Sequence, residues 1–444
     1  MKIELPGKVS FIISNLQMHG YEAYAVGGCV RDAILAKEPE DWDITTSATP
    51  AEIKKYFRHT VDTGIEHGTV TVILGRDSFE VTTYRMDGIY EDGRHPTTVT
   101  FTDNLAEDLK RRDFTMNAMA YNDAVRLVDV TGGMRDLNVH TIRCVGEAHE
   151  RFQEDALRIL RAIRFSAQLN FKIEHYTAEA MRDLAPSLAK ISAERIQVEL
   201  VKLLISDHPE KLHEAYGLGI TKEVLPEYDA MVGVEQNTPH HQYDVAIHTL
   251  YALRAIKKDK ILRLAVLFHD MGKAQMKTTD EAGVDHFKGH GALSEEIANE
   301  VMHRLRFDKD TIKKVIRLVR YHDYRFYPTQ RNVRHAINRI GVDMFPYFLA
   351  VRLADTKAQS AYQKREKLEN IVQVREIYHK IMAEEQCVNL QDLAVTGNDL
   401  LELGMKPGKD VGVVLNTLLE LVLDEPAHNE KAYLLKYVTE RILK

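Results

Sequence analysis

Near residue 148 the hydrophobic period of this 444-residue chain changes, so one layered core cannot account for both parts. Before that point short β-type runs (EAYAV, TVTVIL, SFEVTTY, RLVDV) alternate with helical patterns, and TVTVIL-GRD-SFEVTTY reads as a β-hairpin. After it, apolar residues recur at i, i+3 and i+4, as in DALRILRAIRFSAQL and ERIQVELVKLL, which predicts a succession of helical modules. The expected fold is therefore α+β, a mixed α/β head followed by all-α segments. Prolines and glycines near Leu225–Thr238 and a polar stretch near Glu385–Asn389 suggest further breaks, giving 1–147, 148–225, 226–384 and 385–444.

Size and composition narrow the class. A hydrophobic content of 44% over this length is ample for several cores. The three cysteines, Cys29, Cys144 and Cys387, are widely spaced and show no C-x-x-C pattern, which argues against a disulfide framework or zinc ribbon and for a reducing compartment, the cytoplasm. The N-terminal MKIELPGKVSFIISNLQMHG alternates polar and apolar residues, unlike a signal peptide, and no run approaches membrane-spanning length. A formal charge of −7 tells against a protein that coats nucleic acid indiscriminately.

The stretch YAVGGCVRDAILAKEPEDWDITTSATP carries the first chemistry. A strand ending in Gly27-Gly28 and opening into a helix outlines an anion cradle, since glycine permits close backbone approach and a helix start presents free N–H groups. Alone, such a turn is only a turn. Further on, Asp41 and Asp43 flank Trp42; in a strand both carboxylates share one face, where their repulsion favours a cation between them. Mg²⁺ suits such a site, because few carboxylates leave open positions for triphosphate oxygens. Glu80, in SFEVTTY, offers a third carboxylate from a neighbouring strand. In EDALRILRAIR, Asp155 and Arg158 lie three apart, on one face of a predicted helix. A carboxylate there accepts from the exocyclic amine of cytosine or adenine while a guanidinium donates to the ring beside it, a pattern that uracil and guanine do not fit.

GGCVRD, DWDITTSATP, EVTTYR, YEDGRHPTTVTF, RRDFTMNAMAY and EDALRILRAIRF stand in the order and at approximately the spacing of class II tRNA nucleotidyltransferases, the CCA-adding enzymes of the polymerase-β superfamily, which this chain resembles. The resemblance implies head, neck, body and tail segments and Mg²⁺-dependent addition of C, C and A from CTP and ATP to the 3′ end of tRNA, without a nucleic-acid template and with release of pyrophosphate. It implies catalytic Asp41, Asp43 and Glu80, and a nucleotide site with Gly27, Gly28 and Arg31 at the phosphate turn. Arg112 would face the triphosphate, Asp113 and Asn117 the ribose, Asp155 and Arg158 the base, and Arg161 and Arg164 would form a wall. By residue type alone, Asp113 also reads as an N-cap of a helix beginning at Phe114, and Arg111 as a solvent-exposed neighbour. The polar loop between Arg85 and Thr100 corresponds to one that accompanies addition of the terminal A. A poly(A) polymerase, whose head is very similar, is the rival within the same chemistry.

A second constellation follows. FHDMGK places His269 and Asp270 together; His248 precedes them, and His290, His322 and Asp355 come after, each in or beside a helical pattern. This order resembles the HD superfamily of metal-dependent phosphohydrolases and implies a divalent transition metal, Mn, Ni or Fe. It leaves open a hydrolase acting on damaged tRNA ends, with the head reduced to RNA binding, or a helical spacer. The final AVTGNDLLELGMKPGKDVGVVLNTLLELV resembles the tail of the same enzymes, and equally a plain amphipathic helical pair.

Overall fold

The computed structural model describes residues 2–88 and 98–443, the Asp87 side chain excepted, and these divide into two compact units, Met1–Pro226 and Glu227–Lys444. The first unit holds a seven-stranded sheet. Its strands are β1 (Ala23–Val26), β2 (Ile44–Thr46), β3 (Thr60–Gly64), β4 (Thr69–Leu74) and β5 (Asp77–Thr83), while β6 (Arg85–Asp87) and β7 (Val99–Phe101) pair separately and β8 (Met119–Asn122) and β9 (Arg126–Asp129) complete it. The order is β3-β4-β5-β2-β1-β8-β9, so β1, buried at all four residues, lies inside the sheet. That position explains its unbroken run of apolar residues. Among the described strands of this sheet only β2 and β5 pair in parallel, with Ile44 opposite Val81, and the expected β4–β5 hairpin forms.

β1 stops at Val26 because Gly27, at φ +87°, turns the chain into the helix Gly28–Ile34. This turn corrects one expectation. Asp41 and Asp43 lie just before β2 rather than within it: the Asp43 carbonyl still accepts the Val26 N–H at 2.9 Å, but nothing in β1 extends far enough to pair with Asp41. A second correction concerns the helix through EDALRILRAIR. It is two helices, Ala148–Glu154 and Leu157–Leu169, with Asp155 extended at the break (φ −148°, ψ 102°). The Asp155 carboxylate accepts the Leu157 N–H at 3.0 Å, so the residue acts as a helix-starting acceptor instead of continuing the first helix. Of the polar loop expected between Arg85 and Thr100, residues 89–97 lie outside the described residues, and the flanks pair as β6 and β7.

Helices build the second unit. Those that matter for function are Val245–Ala255, Lys260–Phe268, His290–Arg304, Lys309–Tyr321, Gln330–Ile340 and Phe345–Ala358. Residues from Cys387 to Val438 assemble a core of their own around Leu400, Leu418, Val422 and Leu434. Arg334 ties that core to the Gln330–Ile340 helix by donating to the carbonyls of Leu423 (2.7 Å) and Asp424 (3.0 Å), at the negative end of the Lys409–Asp424 helix. Among the described residues no helix is long and apolar enough to cross a membrane.

Candidate functional site

In the first unit, a cavity of about 480 Å³ gathers Gly27, Gly28, Arg31, Asp43, Arg112, Asp113, Asn117, Asp155, Arg158, Arg161 and Arg164. Four further liners were not assigned to the site from sequence: Arg111, Leu157, Phe165 and Arg195. Seven arginines therefore face three aspartates around a space of nucleotide size, an anion-seeking interior in a chain of net negative charge.

Most of these cations are held by carboxylates. Arg31 forms a fork with Asp32 at 2.8 and 2.9 Å and donates to Asn117 Oδ1 at 2.7 Å; Asn117 in turn donates to Asp113 at 3.2 Å. Asp113 pairs with Arg161 at 2.6 Å and accepts the Phe114 N–H at 2.8 Å. Burial alone would raise its pKa, but the Arg161 and Arg158 guanidiniums outweigh that and hold the carboxyl down to about 2. The helix expected from Phe114 is only a 3₁₀ turn, Thr115–Asn117, because Asp113 commits its second oxygen to Arg161 instead of capping a longer run. Arg164 pairs with Glu199 at 2.6 Å and stacks over Phe165 at 4.1 Å; burial lowers its pKa to about 10. The exposed reading of Arg111 is also corrected: it is half-buried and pairs at 2.7 Å with Asp108, which is itself fully buried.

Two features leave room for a ligand. Arg112 contacts Asp108 at 3.2 Å through Nη2, while its Nε is buried without a hydrogen-bond partner. A Cβ on Gly27 would come within 3.3 Å of Arg112 Nη1, so a side chain there would fill the cradle. At the pair expected to face the base, Asp155 Oδ2 meets Arg195 at 2.6 Å and Arg158 meets Glu154 at 2.7 Å. A carboxylate oxygen has a second lone pair to offer, so Asp155 can accept from an amine while Arg195 stays bound.

The acidic end fits a divalent cation. The β2–β5 register sets Asp43, one residue before Ile44, beside Glu80, one residue before Val81. The Asp43 pKa is raised, by desolvation first and also by Glu80 and Asp41, against an opposing pull from Arg112. A carboxylate raised by its acidic neighbours in this way is stabilised by a cation beside it.

In the second unit the six HD-type residues converge. His248 (helix Val245–Ala255) and His269, directly after Lys260–Phe268, approach Asp270 Oδ2 at 3.8 and 3.2 Å, while His290 and His322 approach Oδ1 at 3.4 and 3.5 Å. Asp355 closes the group at 2.9 Å from His248. His269, His290 and His322 each turn Nδ1 to a backbone carbonyl, of Val266 (2.6 Å), Phe287 (2.8 Å) and Val319 (2.7 Å). A carbonyl cannot donate, so Nδ1 carries a proton in each ring and Nε2 is the atom turned inward. The Nε2 atoms of His290 and His322 then face each other at 3.0 Å, and buried His269 Nε2 has no hydrogen-bond partner. Only a proton or a metal ion between these atoms makes the arrangement favourable. Lys273, almost fully buried, holds Asp270 at 2.7 Å; burial would raise the Asp270 pKa, but His269 and Lys273 hold it well below the carboxylate range. His241, which the sequence reading missed in a polar loop, meets the His248 ring edge-on at 5.0 Å with its Nδ1 unpartnered.

Comparison with known proteins identifies the family. Residues 23–143 match the poly(A) polymerase head domain family, 170–232 the RNA- and SrmB-binding site of polymerase A, and 287–438 the tRNA nucleotidyltransferase domain 2 family. The CCA-adding enzyme of Enterococcus faecalis is 53% identical over 194 residues, 44% of this chain and 48% of that one. Among solved structures, the Bacillus stearothermophilus CCA-adding enzyme in complex with CTP superposes with a TM-score of 0.74 at 28% identity, covering 99% of this chain and 98% of that one. The CCA-adding enzyme of Lactobacillus helveticus is 35% identical over 433 residues, 97% of this chain and 96% of its own length, and an identity sustained from end to end means that the chain belongs to the CCA-adding enzymes.

Proposed function

We propose that Asp41, Asp43 and Glu80 hold the divalent cation, Mg²⁺, with which this tRNA nucleotidyltransferase works, and that the arginine-lined cavity beside them holds CTP or ATP. The chain adds C, C and A in turn to the 3′ end of tRNA without a nucleic-acid template. What carries the residue assignment is convergence: ten residues read from separate motifs as nucleotide-binding line one cavity with Asp43 at its edge. Bound Mg²⁺ would neutralise charge on the attacking and leaving oxygens. The chain's own residues position the rest. Gly27 lets phosphate approach the helix start, Arg112 offers its unpartnered Nε to the triphosphate, and Asn117, gripped by Arg31 and Asp113, is fixed toward the ribose. Asp155 accepts from the exocyclic amine shared by cytosine and adenine; uracil and guanine would present a carbonyl there, against a carboxylate. Catalysis then rests on placement and charge compensation, with the segments 1–147, 148–225, 226–384 and 385–444 serving as head, neck, body and tail, in the cytoplasm.

The test uses tRNA lacking its 3′ end with CTP, ATP and Mg²⁺. Growth that stops after three residues agrees with the assignment, and an open-ended adenosine ladder, the poly(A) reading, refutes it.

A second activity is supported by the inward-facing imidazoles. We propose that His248, His269, Asp270, His290, His322 and Asp355 hold divalent transition metal, Mn, Ni or Fe, and that this site hydrolyses terminal phosphates on damaged RNA ends. For a 2′,3′-cyclic phosphate, water adds to phosphorus, one P–O bond to the ribose breaks, the freed oxygen takes the proton, and a phosphomonoester remains. A metal-loaded chain that binds the ion stoichiometrically yet leaves both cyclic and monoester phosphates intact would refute it.

A further inference from the structure

The cavity over the HD cluster, about 780 Å³, does not end at the cluster. On one side it shares Arg320 and Tyr321 with a cavity of about 570 Å³, lined by Lys313, Arg317, Arg320 and Arg339 against the single carboxylate of Glu295. On the other it shares Arg325 and Lys367 with a cavity of about 460 Å³ that contains Tyr327. The cations are not scattered. Lys313, Arg317 and Arg320 recur at i, i+4 and i+7 on the Lys309–Tyr321 helix, and that helix delivers His322 to the cluster at its C-terminal end. From Lys313 to His322 the stripe runs about 13 Å along the axis, several times the axial spacing of about 3.4 Å per phosphate on one strand.

The stripe is also incompletely neutralised. Arg320 meets Glu295 at 3.3 Å, Arg317 donates to the Ile340 carbonyl at 3.3 Å, and Arg339 lies over the Tyr324 ring at 5.1 Å. At Gly341, φ +101°, a Cβ would come 2.8 Å from Arg317 Nη1 and 2.9 Å from Asp343 Oδ1, so glycine leaves Arg317 room on a side that Asp343 shares. Across the cluster, Tyr327 is 81% exposed on the turn after His322. In a chain of net charge −7, a cavity lined by four cations and one carboxylate on one side of the cluster and an exposed aromatic on the other form a single-strand binding pattern: backbone phosphates on the cations, a base on the ring.

We propose that the HD-type site takes the 3′ end of an RNA strand rather than a free mononucleotide. The terminal base rests on Tyr327 between Arg325 and Lys367, the terminal phosphate lies over Asp270, and the preceding backbone phosphates follow Arg320, Arg317 and Lys313. This rests on the metal-site reading above. A mononucleotide would leave the stripe unused.

The experiment compares two substrates on the full-length, Mn²⁺- or Ni²⁺-loaded chain: a six-nucleotide RNA ending in a 2′,3′-cyclic phosphate and the corresponding cyclic mononucleotide. In Lys313→Gln/Arg317→Gln the ratio of kcat/KM for the oligonucleotide to that for the mononucleotide should fall at least about tenfold, through KM. Tyr327→Ala should raise KM for both by about fivefold or more, since both carry the terminal base. On the wild-type chain, the log–log salt dependence of kcat/KM should be steeper for the oligonucleotide by about 0.7 for each extra phosphate engaged. An unchanged ratio in the double variant, or equal salt slopes, overturns the strand proposal while the metal reading stands. If the wild-type chain binds no transition metal and cleaves neither substrate, the metal reading fails and the proposal falls with it.

Discussion

The arginine-lined cavity of the first unit and the histidine cluster of the second solve opposite electrostatic problems. In the first, fixed carboxylates compensate the cations: Asp113 for Arg161, Glu199 for Arg164, Asp108 for Arg111 and Arg112. The second turns imidazole nitrogens on one another, His290 Nε2 against His322 Nε2 at 3.0 Å, with His269 Nε2 3.2 Å from Asp270. A site whose charges are already compensated can stand empty and admit a transient anion by exchanging a few contacts. One whose ring nitrogens face each other needs a proton or a metal ion between them. That difference is what supports reading the first as a substrate site and the second as a metal site.

The largest effect should come from breaking the acidic end of the first site. Asp41→Ala or Asp43→Ala should lower CTP incorporation into truncated tRNA by about a thousandfold or more, several kcal/mol of lost charge stabilisation. Phosphate release at the HD-type site should persist in the same variants. Retained incorporation would mean that these carboxylates do not hold the ion.

Stability should reveal the compensated lattice next. Asp113→Asn leaves Arg161 buried without its counter-charge and should cost about 3–5 kcal/mol in urea unfolding. Acid should mimic it. The folded pKa of about 2 lies below the ordinary value of 3.8, so this carboxyl stabilises the fold fully above pH ~4, by about 2–3 kcal/mol, and loses that contribution as the pH falls through ~2. The stability gap between wild type and Asp113→Asn should therefore be flat above about pH 5 and narrow below pH 4. A gap independent of pH down to 2 would show that the Asp113–Arg161 pair is not what the substitution removes.

The cluster should respond to metal rather than to acid exchange among partners. Mn²⁺ or Ni²⁺ at a hundredfold excess over its Kd should stabilise the chain by about 2.7 kcal/mol. His269→Ala or His322→Ala should abolish most of that gain in a thermal shift measured with and without EDTA. An equal metal response in wild type and variants would place the ion elsewhere.

How much of this was legible in the sequence depends on range. Gly27 was readable because a strand-to-helix turn at positive φ demands glycine, and the alternation of TVTVIL and SFEVTTY fixed a hairpin whose pairing is local. The break at Asp155 was hidden, because apolar spacing continues through it and only the carboxylate's capping of Leu157 marks the interruption. Arg195 carried no local signal of pairing, since it comes from a helix forty residues downstream of Asp155; Glu199, four residues on from Arg195 in the same helix, was the available hint that this face turns toward the arginines. His241 sat in a polar loop without period, and only the fold brings it against His248.

Arg195 also sets the smallest and most discriminating test of the contrast. Its 2.6 Å bond holds one oxygen of Asp155 while the other accepts Leu157 N–H, so both oxygens are oriented before any base arrives. Arg195→Gln weakens the charge-assisted bond without creating a large void; the Asp155 backbone should keep its place at the helix start while its carboxylate, held only by Leu157 N–H, gains freedom to rotate. The expected loss is about 1–2 kcal/mol of the 1.5–3 typical of a hydrogen bond to a charged group, read as a tenfold rise in KM for CTP with a smaller change in kcat. Loosening the carboxylate should also narrow the preference for CTP over UTP, because a mobile Asp155 can swing away from a carbonyl that the fixed one repels. If KM rises while the CTP/UTP ratio stays constant, Arg195 contributes only positive charge to the cavity, and the orientation of Asp155 is set by the helix start alone.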